Sequence, residues 1–115
     1  MSLDVYLSMP LDTGAAELYE VELFSANITH NLNKMTQEAG IYEALWRPEE
    51  IGITTAGQLI GPLRHGLDLL RSDPARFIAL NPSNGWGSYA DFVPWVEGYL
   101  AACQAYPKAK VEASR

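Results

Sequence analysis

The spacing of apolar residues changes from a period of two to a helical period at Ile28. Apolar and polar residues alternate over residues 3–9 and again over residues 18–24, which is the pattern of two half-buried strands joined by a turn. From Ile28 to Ala39 the apolar residues recur every three or four positions, and Gly40 is suited to end a helix. The first forty residues therefore predict a β-hairpin followed by a helix.

The middle of the chain predicts further helices. A short helix or turn is expected over residues 42–46, because a proline follows soon after them, and residues 51–53 are expected to be a brief extended piece. Thr55 and Gln58 have the spacing of a capping box, and a helical stripe follows them. Pro62 lies inside that stripe and lacks an N–H, so we expect it to bend or restart the helix.

The last third of the chain contains two helix starts and a final strand. Asp73 followed by Pro74 is a typical helix start, and Ser88 is suited to cap a last apolar helix. Residues 111–114 are expected to return as an edge strand. Together the elements predict a single α+β domain over residues 1–115, with a small antiparallel sheet and about four helices packed on one face.

The composition limits the classes of function. The chain has 115 residues, enough for one hydrophobic core, and a net charge of -6 with only 8 Lys and Arg residues. Nucleic acid is therefore an unfavourable partner, because duplex affinity depends on cationic contacts to phosphate. We find neither an apolar run of membrane-spanning length nor a signal-peptide pattern, and we expect a cytoplasmic protein without a membrane partner.

Cysteine and histidine are too few to indicate a disulfide or a zinc site. Cys103 is the only cysteine and lies in an apolar helical stripe, where we expect a buried core residue. Two widely separated histidines match no zinc-binding spacing, and no phosphate-binding glycine loop follows a strand. We therefore expect no metal and no cofactor. The oligomeric state is left open by the sequence.

One polar cluster lies in residues 24–34, in the region that the apolar spacing assigns to the first helix. Five of its residues are poor helix formers, namely Asn27, Thr29, His30, Asn31 and Asn33. His30, flanked by amides, could donate to a phosphate or a carboxylate, which favours a hydrogen-bonding site. In the alternative interpretation Asn27 caps the helix, His30 is solvated and Asn31 bonds a neighbouring loop.

A second polar cluster occupies residues 81–88. Gly85 and Gly87 flank Trp86, so the backbone could approach a flat group and the indole could stack on a base or a sugar ring. The segment leads into the predicted start of a helix, which favours an anion. Alternatively, the same residues form an ordinary tight loop that a buried tryptophan anchors.

Two arginines are further candidates for contact with an anion. Arg47 follows Trp46, and Arg64 precedes His65. Arginine forms bidentate pairs with phosphate or carboxylate, so either residue could complete a pocket. The alternative is an exposed ion pair with a nearby acidic residue, which contributes little stability.

Five blocks of the chain resemble a group of short proteins of no established function that bacteriophages and diverse bacteria encode. The blocks are Leu3-Asp4-Val5-Tyr6-Leu7, Asn27-Ile28-Thr29-His30-Asn31-Leu32, Glu38-Ala39-Gly40-Ile41-Tyr42, Trp46-Arg47-Pro48-Glu49-Glu50 and Asn84-Gly85-Trp86-Gly87. The resemblance implies a cytoplasmic protein of bacterial or viral origin. It implies no catalytic or binding residue.

We hypothesise that the chain binds a small polar or anionic molecule, such as a nucleotide or a nucleotide-derived signal, between the first helix and the loop around Trp86. The predicted ligand-binding residues provide one stacking ring, several amides and cationic side chains: Asn27, His30, Asn31, Arg47, Arg64, Asn84 and Trp86.

Two other functions stay open at this stage. One is an interaction module that docks on a host or phage protein through an aromatic surface, because tryptophan and tyrosine dominate interface hot spots. The aromatic residues concerned are Tyr42, Trp46, Trp86, Tyr89 and Trp95. The other is a small hydrolase in which His30 works with Glu22 or Asp4, with or without a metal.

Overall fold

The central element of the fold is a long strand that pairs on both sides. The computed structural model describes residues 2–115. Strand β1 (Ser2–Leu11) pairs antiparallel with β2 (Tyr19–Thr29) along its length and with β3 (Lys110–Ser114) over part of it, which gives the order β2-β1-β3. The predicted hairpin, the C-terminal edge strand and the α+β class are confirmed.

Strand β2 runs further than the predicted end at Phe24, and the helix predicted to begin at Ile28 is wrong over its first residues. The strand continues to Thr29, and Asn27 lies in it opposite β1. A 3₁₀ turn (His30–Leu32) and then helix α1 (Asn33–Glu38) follow the strand. Pairing with β1 supplies backbone hydrogen bonds to residues whose apolar spacing alone favours a helix, so tertiary structure overrides the local pattern.

Four helices and a second 3₁₀ turn complete the fold. The helices are α2 (Tyr42–Trp46), α3 (Gly57–Ser72), α4 (Pro74–Ile78) and α5 (Tyr89–Ala105). The short helix predicted over residues 42–46 is confirmed. The extended piece predicted over residues 51–53 is wrong, because the 3₁₀ turn Pro48–Ile51 occupies its start.

Two of the three predicted helix starts use the side chains that the sequence indicates, whereas Asp73 at the start of α4 makes no side-chain cap hydrogen bond. The Gln58 side-chain carbonyl accepts hydrogen bonds from the backbone N–H groups of Thr54, at 2.7 Å, and Thr55, at 3.0 Å. Ser88 caps α5, since its hydroxyl accepts from the backbone N–H of Asp91 at 3.2 Å. Helix α3 continues through Pro62 as one helix, so the predicted restart does not occur.

One hydrophobic core joins the sheet to the helices. Leu3, Val5 and Leu7 on the inner face of β1 are fully buried. The ring of Phe24 stacks on that of Tyr99 in α5, with centroids 5.8 Å apart. Among residues 2–115, none of the helices has the length and apolar character needed to cross a membrane.

Cys103 lies in this core, as predicted, and is fully buried beside Tyr99. Burial raises the pKa of the Cys103 thiol to about 12, and it raises the pKa of Tyr99 above its ordinary value. Both groups are therefore neutral in the folded protein at neutral pH, because burial penalises the charged form.

We expect the free energy of unfolding to fall as the pH rises above about 8.5, where the unfolded thiol loses its proton and the folded one does not. The loss continues towards pH 12, the folded pKa of Cys103. Urea unfolding at pH 7, 9 and 10 measures it. In Cys103→Ala the free energy of unfolding should fall less steeply with pH, by at most about 1.4 kcal/mol per pH unit less. The decrease that persists should come from Tyr99. An identical slope in both proteins would contradict this account.

Gly66 allows α3 to approach the segment that joins α1 to α2. A Cβ atom at Gly66 would lie 2.4 Å from Cγ2 of Ile41, which is itself buried. We expect Gly66→Ala to lower the free energy of unfolding by about 1–3 kcal/mol through overpacking. The matched control is Gly98→Ala in α5, where the added Cβ meets open space; it should stabilise the helix by roughly 0.5–1 kcal/mol. Urea unfolding distinguishes the two, and equal shifts would refute the packing argument.

Candidate functional site

The two polar clusters of the sequence meet in the fold. The loop over residues 81–88 packs against the junction between β2 and the first 3₁₀ turn. At Gly87, where φ is +91°, a Cβ atom would lie 2.7 Å from Cγ2 of Thr29 and 3.1 Å from Cγ of Leu32. Only glycine permits both this backbone conformation and this close approach.

A cleft of about 490 Å³ lies between the two clusters, and we call it the cationic cleft. Its first wall consists of His30, Asn31, Asn33 and Lys34, and its second wall is the loop over residues 79–84. Among the described residues 2–115 no carboxylate lines it, although acidic residues outnumber Lys and Arg by 14 to 8 in the whole chain. The cleft therefore offers an anion two basic side chains and several amides.

A second cavity of about 400 Å³ adjoins the first, and we call it the tryptophan hollow. It is lined by Ser2, Asn27, Thr29, Asn31 and Trp86. Asn31 lines both cavities, so the two adjoin at this residue, and we call the pair of cavities the groove. The Trp86 side chain is 71% exposed, which makes its ring accessible to a flat ligand.

The second wall of the cleft is held by α4. Phe77 is fully buried in the core and anchors this short helix. The Arg76 guanidinium donates hydrogen bonds to the Glu38 carboxylate at the end of α1, which links the helices that carry the two walls. Because that pair is exposed, it contributes little stability, and the burial of Phe77 is the stronger anchor.

The asparagines of the loop have structural hydrogen bonds. The Asn84 side-chain carbonyl accepts from the backbone N–H of Trp86 at 2.9 Å, and that of Asn81 accepts from the backbone N–H of Tyr89 at 2.7 Å. These bonds are those of the ordinary loop that the sequence also allowed. They occupy the carbonyl oxygens, so both amide NH₂ groups stay available to a ligand.

Asn27 does not cap a helix, in contrast to the alternative interpretation of the sequence. Its amide NH₂ donates to Oδ1 of Asp4 at 2.7 Å and to Oγ of Ser2 at 2.9 Å, across the strand pair. Its backbone carbonyl accepts from Nε1 of Trp95 at 3.0 Å. The cap of the following turn is Thr29, whose hydroxyl accepts from the backbone N–H of Asn31 at 3.2 Å.

His30 lies between the cleft and the core. Its ring lies 5.8 Å from the Trp46 ring, centroid to centroid. Within residues 2–115, three buried side-chain atoms have no hydrogen-bond partner: Nε2 of His30, Oδ1 of Asn33 and Nε1 of Trp46. An unsatisfied buried polar atom costs about 1–3 kcal/mol, and two of these three belong to residues that line the cationic cleft.

The two predicted arginines lie outside the groove. Nη1 of Arg47 donates to Oε2 of Glu50 at 2.8 Å, which is the surface ion pair of the alternative interpretation. Arg64 is exposed on α3. Neither residue lines the cationic cleft or the tryptophan hollow. The cationic residue that sequence reasoning left out of the predicted set is Lys34.

The two other hypotheses concern an aromatic docking surface and a hydrolytic site. Of the five aromatics expected on a docking surface, Trp86 is exposed and Trp46 is buried, so they form no common surface. Glu22 lines a separate hollow on the outer face of the sheet, away from the cleft that His30 lines. Among residues 2–115, no group of three or more His, Cys, Asp or Glu side chains is arranged to hold a metal ion.

Comparison with known proteins identifies no relative. No family model matches the chain, and neither the curated proteins nor the solved structures contain a match. The function is therefore inferred from the chemistry of the groove itself.

Sequence reasoning missed Ser2 in the hollow, the role of Asp4 beside it, and Ala79 and Leu80 in the cleft. Ser2 and Asp4 were not expected near Asn27, because a helical Asn27 would not face β1. The signal that could have found them is strand register: extending the hairpin pairs Asp4 with Asn27 directly. Asn33 and Lys34 belong to the same polar cluster as His30 but were left out of the predicted ligand-binding set, and the charge of Lys34 was the available signal.

We expect Gly87→Ala to separate the loop from the 3₁₀ turn and to destabilise the fold. Its matched control is Gly85→Ala, which has a similar positive φ of 78° but open space around the added Cβ. Both variants bear backbone strain of about 1–2 kcal/mol, and Gly87→Ala should lose roughly 1–3 kcal/mol more through the clash with Thr29. Urea unfolding, monitored through tryptophan fluorescence, measures the difference in the free energy of unfolding. Equal losses would show that the contact is unimportant.

Proposed function

We propose that the groove formed by the cationic cleft and the tryptophan hollow binds a small anionic molecule of the nucleotide class. The observation that carries the proposal is the absence of carboxylates from the cleft lining of a chain whose net charge is -6. An anion would be repelled by much of the surface and attracted to this one part of it.

The cationic cleft suits a phosphate group. Lys34 contributes a positive charge, and His30 and Asn31 contribute further polar groups on the same wall. Asn84 lines the cleft from the loop, and within residues 2–115 its NH₂ group has no hydrogen-bond partner. Charge-assisted hydrogen bonds of this type are stronger than neutral ones, and they select for an anion.

The tryptophan hollow suits the base or sugar of the same ligand. Trp86 offers an accessible aromatic face, and stacking of a base on such a face contributes about 1–3 kcal/mol. Asn31 lines both cavities, so one ligand of modest length could use the cleft and the hollow together. A ligand with both a phosphate and a ring fits this division better than a simple anion does.

A second candidate function is protein docking at the tip of the hairpin. Leu11, Leu18 and Tyr19 are exposed by 51%, 58% and 64%, and they lie close together at the end of β1 and the start of β2. Exposed apolar side chains grouped in this way favour a protein contact. The residues concerned are remote from the groove in the sheet, so variants at the tip separate this function from ligand binding.

Isothermal titration with nucleoside monophosphates tests the proposal. Trp86→Ala should weaken binding about 5-fold to 100-fold through the lost stacking. Lys34→Gln should weaken the binding of nucleotides and leave that of the corresponding nucleosides unchanged, because only the phosphate meets the lysine.

Lys108→Gln is the matched control, since it removes an exposed lysine that lines neither cavity. It should bind as the unaltered protein does. The absence of nucleotide binding, or equal binding by all four proteins, would overturn the proposal.

A further inference from the structure

The side-chain amide of Asn27 is held in one orientation by Asp4. Nδ2 of Asn27 lies 2.7 Å from Oδ1 of Asp4 and 2.9 Å from Oγ of Ser2. An ionised carboxylate accepts hydrogen bonds and donates none, so the NH₂ group of Asn27 must face Asp4. The Asn27 carbonyl oxygen must then point away from that carboxylate.

The strand register makes this orientation a fixed part of the fold. Asp4 and Asn27 are directly opposed in the antiparallel pairing of β1 with β2, so their Cβ atoms project on the same face. Trp95 holds the backbone carbonyl of Asn27 at 3.0 Å. Within residues 2–115, no group donates a hydrogen bond to Oδ1 of Asn27, so this oxygen is a free acceptor on a residue that lines the tryptophan hollow.

The hollow therefore presents a defined hydrogen-bonding pattern beside Trp86. Oδ1 of Asn27 accepts, whereas the Thr29 hydroxyl already accepts from a backbone N–H and so retains its own proton to donate. A base that stacks on Trp86 would meet this acceptor with its edge. An exocyclic amino group on the base would donate to it, and an exocyclic carbonyl would oppose it.

We infer that the tryptophan hollow selects a base with an exocyclic amino group, adenine over hypoxanthine, through the acceptor Oδ1 of Asn27. This inference rests on the proposed function of the groove. Asp4 is a positioning residue in this arrangement, because it acts on the ligand only by fixing the Asn27 amide.

The test compares AMP with IMP, which differ at the 6-position in an amino group against a carbonyl and at N1 in an acceptor against an N–H donor; purine riboside monophosphate, which keeps the N1 acceptor and lacks the amino group, isolates the 6-position and should bind as IMP does. The unaltered protein should bind AMP about 3-fold to 10-fold more tightly, the range expected for one hydrogen bond at an exposed site. Asp4→Asn gives Asn27 a neighbour that both donates and accepts, so the Asn27 amide is free to turn and the ratio should fall towards one. Glu112→Gln, the matched control, removes a carboxylate from the same outer sheet face outside the hollow and should keep the ratio.

The ratio of the two affinities is the decisive quantity, since a general loss of stability lowers both. If Asp4→Asn does not fold, Asn27→Ala gives the same readout: both nucleotides should bind, with equal affinity. A ratio near one in the unaltered protein, or an unchanged ratio in Asp4→Asn, would overturn the inference and leave the proposed function standing. Failure of both nucleotides to bind the unaltered protein would overturn the two together.

Discussion

The antiparallel pairing of β1 with β2 up to Thr29 is the constraint on which the rest of the structure depends. The paired strands form a sheet whose inner face carries the buried leucine and valine side chains of β1, and this face forms one side of the core. The pairing also brings Asp4 opposite Asn27 and sets the position at which the chain leaves the sheet. Had the strand ended at Phe24, the first polar cluster would lie on a helix and would not face the loop around Trp86.

The loop over residues 81–88 is held against the fold by hydrogen bonds and by one close contact. Its asparagine carbonyls accept from the backbone N–H groups of Trp86 and Tyr89, and Gly87 allows the loop to touch Thr29 without a side chain in between. Such bonds are structural, yet they do not compete with ligand binding, because an amide side chain has a donor end and an acceptor end. Using the carbonyl internally leaves the NH₂ group for an external partner.

The elements that could be predicted from the sequence are those in which local pattern and tertiary contact agree. The alternation in β1, the caps at Gln58 and Ser88, and the buried Cys103 all meet this condition. The C-terminal bound of β2 does not meet this condition, since the apolar residue Ile28 fits the pattern of a strand and that of a helix equally well. Within the groove, Asn27, His30, Asn31, Asn84 and Trp86 were expected, whereas Ser2 and the role of Asp4 depend on pairing register, which apolar spacing near Ile28 obscures.

The physical basis for a ligand differs from the one that the sequence suggested. Helix-disfavouring residues in a helix would imply a cost that some function offsets, but Asn27 and Thr29 are extended and Thr29 caps a turn, so these two residues bear no such cost. What remains is a difference in charge, namely a cleft whose described lining holds no carboxylate on a chain that is acidic overall. Folding alone does not require this feature, because an acidic side chain on the cleft wall would be equally well solvated. The proposal that the groove binds an anion rests on this difference.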